Sequence, residues 1–125
     1  MLPARHRMRR PDEFSDAVRR GARSGARRLV VHLSLNEADP DGDPALVGFV
    51  VPKSVGTAVR RNRVKRRLRA LARERLPDLP AGARLVVRAL PDSAGASSPE
   101  LAEDLDAALA GARRRIRNRS ARSRS

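Results

Sequence analysis

A ten-residue segment near the middle of the chain concentrates positive charge. Residues 60–69 contain six arginines and one lysine, and their only apolar side chains are Val64 and Leu68. On an α-helix, with about 100° between successive residues, these two share one narrow face with Leu71 and Ala72. The opposite face carries a cationic ridge, which consists of Asn62, Arg66, Arg69 and Arg73 and is flanked by Arg63 and Lys65. The segment can therefore bury one face while it presents a row of cations, an arrangement that suits a polyanion.

Two plainer explanations of this charge run compete with a binding role. A solvated helix face would interleave acids and bases at i,i+4 spacing, yet Glu74 is the only acid between Val51 and Pro77. A disordered tail would carry no apolar face, whereas Val64 and Leu68 indicate a helix docked on the body of the protein. The sequence therefore favours a rigid element that presents cations to a nucleic acid.

The overall charge agrees with a nucleic-acid partner. The 125 residues carry a formal net charge of +14, and the isoelectric point is about 11.9. Cations concentrate at the N-terminus, in residues 51–76 and after residue 112, whereas residues 36–50 and 77–112 are acidic on balance. This partition would orient the protein on a polyanion. The length fits a single domain.

Catalytic and metal-binding patterns are missing from the sequence. It has no cysteine and no tyrosine, and its only histidines are His6 and His32. An isolated histidine in a strand is more often structural than catalytic, and the carboxylates lie where turns and helix starts favour them. We therefore expect no catalytic residues and no metal ligands in the polypeptide. The N-terminus lacks the apolar core of a signal peptide, and no run approaches about 18 apolar residues, which predicts a cytoplasmic protein.

Hydrophobic periodicity and turn residues indicate the elements that would position these side chains. A flexible basic arm is expected over 1–10, a single RNA-binding domain over 11–112, and a disordered Arg/Ser-rich tail over 113–125. Within the domain, the pattern predicts helices over 11–20, 55–75 and 98–112, and strands over 29–35, 46–51 and 84–90. An acidic hairpin loop is predicted for 37–44. This order indicates an α+β sandwich, in which helices pack against a small sheet.

The residues around the charge run match a known pattern. Arg61-Asn62-Arg63 lies behind VGTAV at 55–59 and ahead of VKRRLR at 64–69, directly after the apolar GFVV strand at 48–51. This arrangement resembles the signature of the protein subunit of bacterial ribonuclease P. The family's RNR pattern is matched at all three positions, the glycine and the flanking basic residues also match, and the order of elements fits along roughly residues 5–115.

The resemblance implies a fold and an activity. The fold would be a two-layer sandwich of a small central β-sheet with about three helices, ribosomal-protein-like, with a left-handed βαβ crossover. General statistics alone would have favoured a right-handed connection. The activity would be removal of the 5′ leader from precursor tRNA by an endoribonuclease. Its chemistry would be carried by an RNA subunit with bound Mg²⁺, without a cofactor on the protein, which would bind the leader and stabilise the RNA.

Two surfaces follow from the resemblance. On the basic helix, the residues that would contact the catalytic RNA are Arg61, Asn62, Arg63, Lys65, Arg66 and Arg69. In a cleft between the first helix and the sheet, the residues that would hold the single-stranded leader are Phe14, Val18, His32 and Lys53. Family members carry aromatic residues at the positions of Phe14, Val18 and His32, and a lysine at the position of Lys53. Only Phe14 and Lys53 match that pattern here. Thr57 replaces the asparagine that usually follows the glycine. Phe14 is equally compatible with an ordinary anchor of the helix to the core.

Other classes of protein are compatible with parts of this pattern. The main alternative is a ribosome-associated or general RNA-binding protein of similar fold that takes no part in cleavage. A small enzyme with its own active site is disfavoured by the residue inventory, and a DNA-binding module by the lack of helix-turn-helix spacing. No membrane and no small-molecule substrate are expected as partners. Reconstitution with a candidate catalytic RNA and precursor tRNA separates these possibilities.

Overall fold

A computed structural model of the protein describes residues 2–35 and 44–124, with side chains described up to residue 119 at the C-terminal end. The regular elements, in chain order, are α1 (Pro11–Arg20), β1 (Ala22–Gly25), β2 (Leu29–Ser34), β3 (Leu46–Val50), α2 (Ala58–Arg75), β4 (Arg84–Ala89) and α3 (Ser98–Arg124). Short 3₁₀ turns occur at Ala4–His6, Lys53–Val55, Leu76–Asp78 and Pro91–Ser93. The predicted α+β class, with three α-helices around a small sheet, is confirmed.

The four strands form one mixed sheet in the order β1-β2-β4-β3. β1 pairs with β2 and β2 pairs with β4 antiparallel, whereas β3 and β4 are parallel. α2 therefore makes the crossover between two parallel neighbours, as the βαβ unit requires. The left hand of this crossover stays a prediction from the resemblance.

The sheet corrects two expectations. The strand β1, with the sequence ARSG, was not predicted because it has no β-branched or large apolar residue. The prediction that β2 and the next strand form a hairpin was also wrong, because β4 lies between β2 and β3. Four of the six residues of β4 are buried, as expected for a strand that is covered on both sides in the interior of a sheet. The acidic loop predicted for 37–44 lies almost wholly outside the described residues.

One face of the sheet builds the main core. The inward side chains of the strands include Leu29, Val31 and Leu33 of β2, which pack beneath α3, while α2 contacts β3 and α3. The helices contribute Val64, Leu68, Leu71 and Ala72 from α2, and Leu101, Leu105, Ala108, Leu109 and Ala112 from α3. The stripe of α2 was predicted from spacing, and the stripes of both helices are buried.

α1 covers part of the opposite face, referred to below as the α1 face. A small second cluster of Met8, Ala17 and Val86 lies there, with the partly buried Phe14 against it. Because successive strand residues point to opposite sides, Val30, His32 and Ser34 of β2 belong to this face. The α1 face thus combines a helix-covered part with a part open to solvent.

The first ten residues are not a free arm. Leu2 and Met8 are buried, and the backbone N–H of Met8 donates to the carbonyl oxygen of Val47 at 3.0 Å. The Nδ1–H of His6 donates to the carbonyl oxygen of Ala45 at 2.7 Å. Two isolated apolar residues in a basic segment give no periodic signal, so the sequence did not reveal these anchors.

The predicted disordered tail also differs from the structure, which continues α3 to Arg124. Ile116, four residues after the buried Ala112, packs against the main core and extends the apolar stripe by one turn. Arg113 donates to the carbonyl oxygen of Asp78 at 3.2 Å, and Arg115 to that of Arg23 at 2.5 Å. These contacts hold the first turns of a segment whose composition alone suggested disorder.

Candidate nucleic-acid interface

The start of α2 is fixed by local backbone chemistry. The predicted helix began at 55, but Val55 ends a 3₁₀ turn and the α-helix begins at Ala58. Between them Gly56 adopts φ 144°, a conformation that side chains other than glycine disfavour. Thr57 then caps the helix, since its hydroxyl accepts a hydrogen bond from the backbone N–H of Arg60 at 3.3 Å. Threonine thus performs the capping role at the position where the family usually has asparagine.

The cationic ridge lies where the spacing predicted it. Val64, Leu68, Leu71 and Ala72 are the buried residues of α2, so the ridge residues face away from the core. A shallow depression of about 410 Å³ is lined by Asn62, Lys65, Arg66, Arg69 and Ala70. Four of the six residues predicted to contact the catalytic RNA therefore surround one concave surface. A concave, cationic surface on a rigid helix can receive a phosphodiester backbone.

The other flank of the helix carries a second depression. It has a volume of about 290 Å³ and is lined by Arg60, Arg63, Val64, Ala94 and Gly95. Arg61 is partly buried between the flanks, and its Nε is a buried atom without a hydrogen-bond partner in the part of the chain that the structure describes. Arg61, Asn62 and Arg63 therefore do not form a single contact patch, because the helix distributes them around its first turns.

Most cations of α2 have no anionic partner among the residues that the structure describes. Within residues 2–35 and 44–119, no ion pair involves Arg60, Arg61, Arg63, Lys65, Arg66, Arg69 or Arg73. Two arginines instead tie the helix to the body: Arg67 donates to the carbonyl oxygen of Ala96, and Arg75 donates to the Asp106 carboxylate at 2.6 Å. That bond raises the pKa of Arg75 and lowers the pKa of Asp106. The helix is thus anchored by a few arginines and presents the others.

The α1 face contains the second predicted site. Strand pairing aligns Arg23 with His32, His32 with Val86, and Val86 with Gly48, so one row crosses all four strands. The ring of Phe14 lies over Gly48 at the end of this row. The structure therefore brings Phe14 and His32 to one face, as the resemblance implied.

The other predicted cleft residues differ in exposure. Phe14 is half-buried, because it packs on the sheet and keeps an edge open, so it is at least an anchor of α1. Val18 is 48% exposed, which is unusual for a large apolar side chain and leaves an apolar surface beside the sheet. Lys53 is exposed in the 3₁₀ turn that follows β3.

Two arginines of this face were missed by the sequence analysis. Arg23 stands beside His32 on β1, and Arg88 aligns with Val30 and Val50 in the neighbouring row. Both side chains are exposed. Arg88 could have been found, because strict alternation along β4 places it on the same side as Val86. Arg23 could not, because β1 itself gave no strand signal.

His32 occupies a partly buried position between these cations. Burial first, and then the positive charges of Arg23 and Arg88, lower the pKa of His32. Its Nδ1 is buried without a hydrogen-bond partner among the described residues. The imidazole is therefore neutral at pH 7, and the positive charge of this face comes from the arginines and Lys53.

Metal-binding clusters and membrane-spanning helices are both absent from the same residues. In the described ranges, no group of three or more His, Cys, Asp or Glu residues could hold a metal ion. No helix there is long and apolar enough to cross a bilayer.

The fold and the two surfaces define a basic α+β nucleic-acid-binding protein. The ribonuclease P family profile matches residues 2–120. The ribonuclease P protein component of Beutenbergia cavernae is 56% identical over 109 residues, which cover 87% of this chain and 89% of that protein. That of Streptomyces avermitilis is 53% identical over 114 residues, with 87% and 93% covered. The chain belongs to the ribonuclease P protein family.

Solved structures agree with this assignment. The ribonuclease P protein of Staphylococcus aureus has the same fold, with a TM-score of 0.72 at 23% identity over 83% of this chain and 92% of that chain. That of Thermotoga maritima gives 0.67 at 25% identity over 86% and 96%. The chain is thus a subunit of the endoribonuclease that processes the 5′ end of tRNA, with the ribonuclease P RNA and a tRNA substrate as partners. The alternative of a general RNA-binding protein is set aside by the family assignment.

Proposed function

We propose that α2 docks on the catalytic RNA and that the α1 face holds the single-stranded 5′ leader of precursor tRNA. The observation that carries this proposal is the set of seven α2 cations without an ion pair among the described residues. Apart from the partly buried Arg61, they project from a helix whose other side is packed against the core. Exposed cations that are not neutralised within a protein are free to neutralise phosphates.

The α2 surface has the chemistry of a backbone contact. Arginine binds phosphate in a planar, bidentate manner, and each neutralised phosphate releases condensed counterions. Such contacts position an RNA without reading its sequence. The depression lined by Lys65, Arg66 and Arg69 offers three cations to one stretch of backbone. The residues we assign to the catalytic RNA are Arg61, Asn62, Arg63, Lys65, Arg66 and Arg69.

The α1 face has the chemistry of a single-strand contact. Unstacked bases bind on aromatic or apolar surfaces, while cations follow the backbone. Phe14, His32 and Val18 supply the surface for bases. Arg23 and Arg88 supply cations on the sheet, and Lys53 supplies one after β3. With one aromatic ring in the cleft, we expect phosphate contacts to carry a larger share of leader affinity than stacking does.

The catalytic metal belongs to the RNA in this proposal. Three of the four carboxylates of α3 are already engaged by arginines: Asp104 and Glu100 by Arg28, and Asp106 by Arg75. The polypeptide therefore adds cations near substrate phosphates and leaves Mg²⁺ to the RNA. Because precursor tRNA is transcribed in the bacterial cytoplasm, we expect the assembly to act there.

Reconstitution tests the proposal. The protein is mixed with its cognate catalytic RNA, and cleavage of precursor tRNA is measured while Mg²⁺ is lowered. We expect the protein to reduce the Mg²⁺ requirement, and the polypeptide alone to cleave nothing. Arg66→Gln with Arg69→Gln should weaken assembly with the RNA. The control is the double variant Arg5→Gln with Arg27→Gln, which removes the same charge from exposed positions elsewhere. It should leave assembly with the RNA unchanged. Equal loss in both double variants would show that net charge, not the α2 surface, governs assembly.

A further inference from the structure

The two halves of α3 carry opposite charge and use it differently. Its first half contains four acids, and three of them pair with arginines of the body: Glu100 and Asp104 with Arg28, and Asp106 with Arg75. After Asp106 the sequence contains no further acid, and residues 113–119 include five arginines. The first half is thus tied to the protein by charge, and the second half carries only positive charge.

Four arginines of the second half keep their side chains exposed. Arg113, Arg114, Arg115 and Arg117 are exposed, and none forms an ion pair within residues 2–35 and 44–119. Arg113 and Arg115 each donate one hydrogen bond to a backbone carbonyl, which leaves further guanidinium donors available. Residues 113–124 add about 18 Å of helix with this composition.

Helical spacing assigns these arginines to two flanks. Asp106 pairs with Arg75 of α2, and Arg113, seven residues later, lies on the same flank and contacts Asp78 just after α2. Asp104 pairs with Arg28 beside β2, and Arg115, eleven residues later, contacts Arg23 of β1. By the same spacing, Arg117 follows Arg113 on the α2 flank.

The flank of α3 that carries Asp104 and Arg115 lies against β1 and is termed the β1 flank. It continues the α1 face around the edge of the sheet. β1 is an edge strand, and α3 approaches it closely: a Cβ added at Gly111 would lie 2.3 Å from the Ser24 Oγ. The carbonyl oxygen of Arg23 accepts the hydrogen bond from Arg115. In the pairing of β1 with β2, Arg23 lies opposite His32 of the cleft. The Nη2 of Arg114 lies 3.8 Å from the same Cβ position at Gly111, so this arginine also reaches the β1 side of α3. Cations therefore follow one another from Arg88 through Arg23 to Arg115 and Arg114.

We infer that the β1 flank of α3, with Arg114 and Arg115, is a second RNA-binding surface that binds the upstream part of a long 5′ leader. This inference rests on the proposed leader cleft, which it extends across the β1 edge. The surface has no aromatic residue among the described positions 98–119, so it contacts phosphates and not bases. Its effect should depend on leader length and not on leader sequence.

The test uses the holoenzyme reconstituted with its RNA subunit, in Ca²⁺ to suppress cleavage. Dissociation constants are measured for mature tRNA and for precursor tRNAs with leaders of about 4 and about 16 nucleotides. Two double variants are compared. The first combines Arg114→Gln and Arg115→Gln, and the second, the control, combines Arg113→Gln and Arg117→Gln. The latter removes equal charge from the other flank of the same helix, including one arginine with a backbone contact.

We expect the Arg114/Arg115 variant to weaken binding of the long-leader substrate about tenfold near 0.15 M salt, the effect of about two lost phosphate contacts. Short-leader and mature tRNA should bind as before, and the Arg113/Arg117 variant should match the wild type. Three results would each overturn the inference: equal losses for all three substrates, weaker assembly with the RNA subunit, or lower thermal stability without a change in binding. The last would mean that these arginines only hold α3 against β1, through the contact of Arg115 with the carbonyl oxygen of Arg23. Failure of the cleft itself is visible separately, as a wild-type enzyme that does not prefer the short leader over mature tRNA.

Discussion

The ring of Phe14 lies so close over Gly48 that a Cβ added to the glycine would be 2.5 Å from both Cε1 and Cζ of the ring. The same Cβ would be 3.1 Å from the Cβ of Met8. Phe14 of α1 can pack on the sheet only because Gly48 of β3 has no side chain. The position of Phe14, and with it one wall of the cleft, therefore depends on a residue of another element.

Gly48→Ala should displace Phe14 and impair leader binding. Overpacking of this kind typically costs about 1–3 kcal/mol of folding stability. We expect a lower midpoint of urea denaturation and a smaller preference of the holoenzyme for leader-bearing over mature tRNA. Gly25→Ala is the matched control in β1, where the added methyl would meet only Val30 at 3.7 Å. An unchanged preference in Gly48→Ala would show that Phe14 serves the core and not the leader.

The two sides of α2 should separate stability from RNA binding. Leu68 is fully buried, so Leu68→Ala should lower the free energy of unfolding by about 2–5 kcal/mol. Arg66 is exposed, so Arg66→Ala should leave unfolding unchanged. It should instead reduce the log–log salt slope of binding to the catalytic RNA by about 0.7–0.9, the value of one phosphate contact. A protein that melts on Arg66→Ala and keeps its RNA affinity would contradict this assignment of the two faces.

His32 should influence leader affinity through its ring. A base stacked on an aromatic side chain contributes about 1–3 kcal/mol, and His32 stands where family members carry an aromatic residue. His32→Tyr should therefore strengthen binding of leader-bearing relative to mature tRNA, and His32→Ala should weaken it slightly. Neither change should alter affinity for the catalytic RNA, because α2 packs against the other face of the sheet. The ratio of the two tRNA dissociation constants in Ca²⁺ measures the effect. If Phe14→Ala, Lys53→Ala and both His32 changes leave that ratio constant, the cleft assignment fails.

The same histidine should make folding stability depend on pH. The pKa of His32 is lowered in the folded state by burial and by Arg23 and Arg88, so the unfolded chain binds its proton more readily. Stability from this residue is therefore complete above the ordinary histidine pKa of about 6.5 and declines as the pH falls from there towards the folded-state pKa. We expect the urea midpoint to fall over this acidic range in the wild type. The fall should be smaller in His32→Gln, and an equal fall in both proteins would assign the effect to another group.

The N-terminal segment should contribute to the fold and not only to charge. Leu2 is almost completely buried in the main core although it precedes every regular helix and strand. Leu2→Ala should destabilise the protein by about 2–5 kcal/mol if the cavity does not collapse. Arg5→Gln, an exposed neighbour in the same segment, should be neutral. Comparison of the two thermal midpoints checks this, and a neutral Leu2→Ala would restore the free arm that the composition suggested.

Local periodicity by itself determined the elements with strong patterns. The spacing of Val64, Leu68, Leu71 and Ala72 predicted the buried face of α2, and with it the cationic ridge, because a helix repeats every 3.6 residues whatever lies around it. Alternation along β2 likewise placed His32 opposite the main core. The residue order around Arg61-Asn62-Arg63 then indicated the family.

The tertiary structure alone decided which distant residues meet. The pairing of β1 with β2 brings Arg23 beside His32. No hydrophobic pattern in the sequence ARSG predicted that strand. The seat of Phe14 on Gly48, the anchoring of Leu2 and the continuation of α3 past Ala112 likewise depend on contacts between segments far apart in the chain. Short or weakly patterned segments take their conformation from the surface they pack on, and that surface exists only once the sheet has formed.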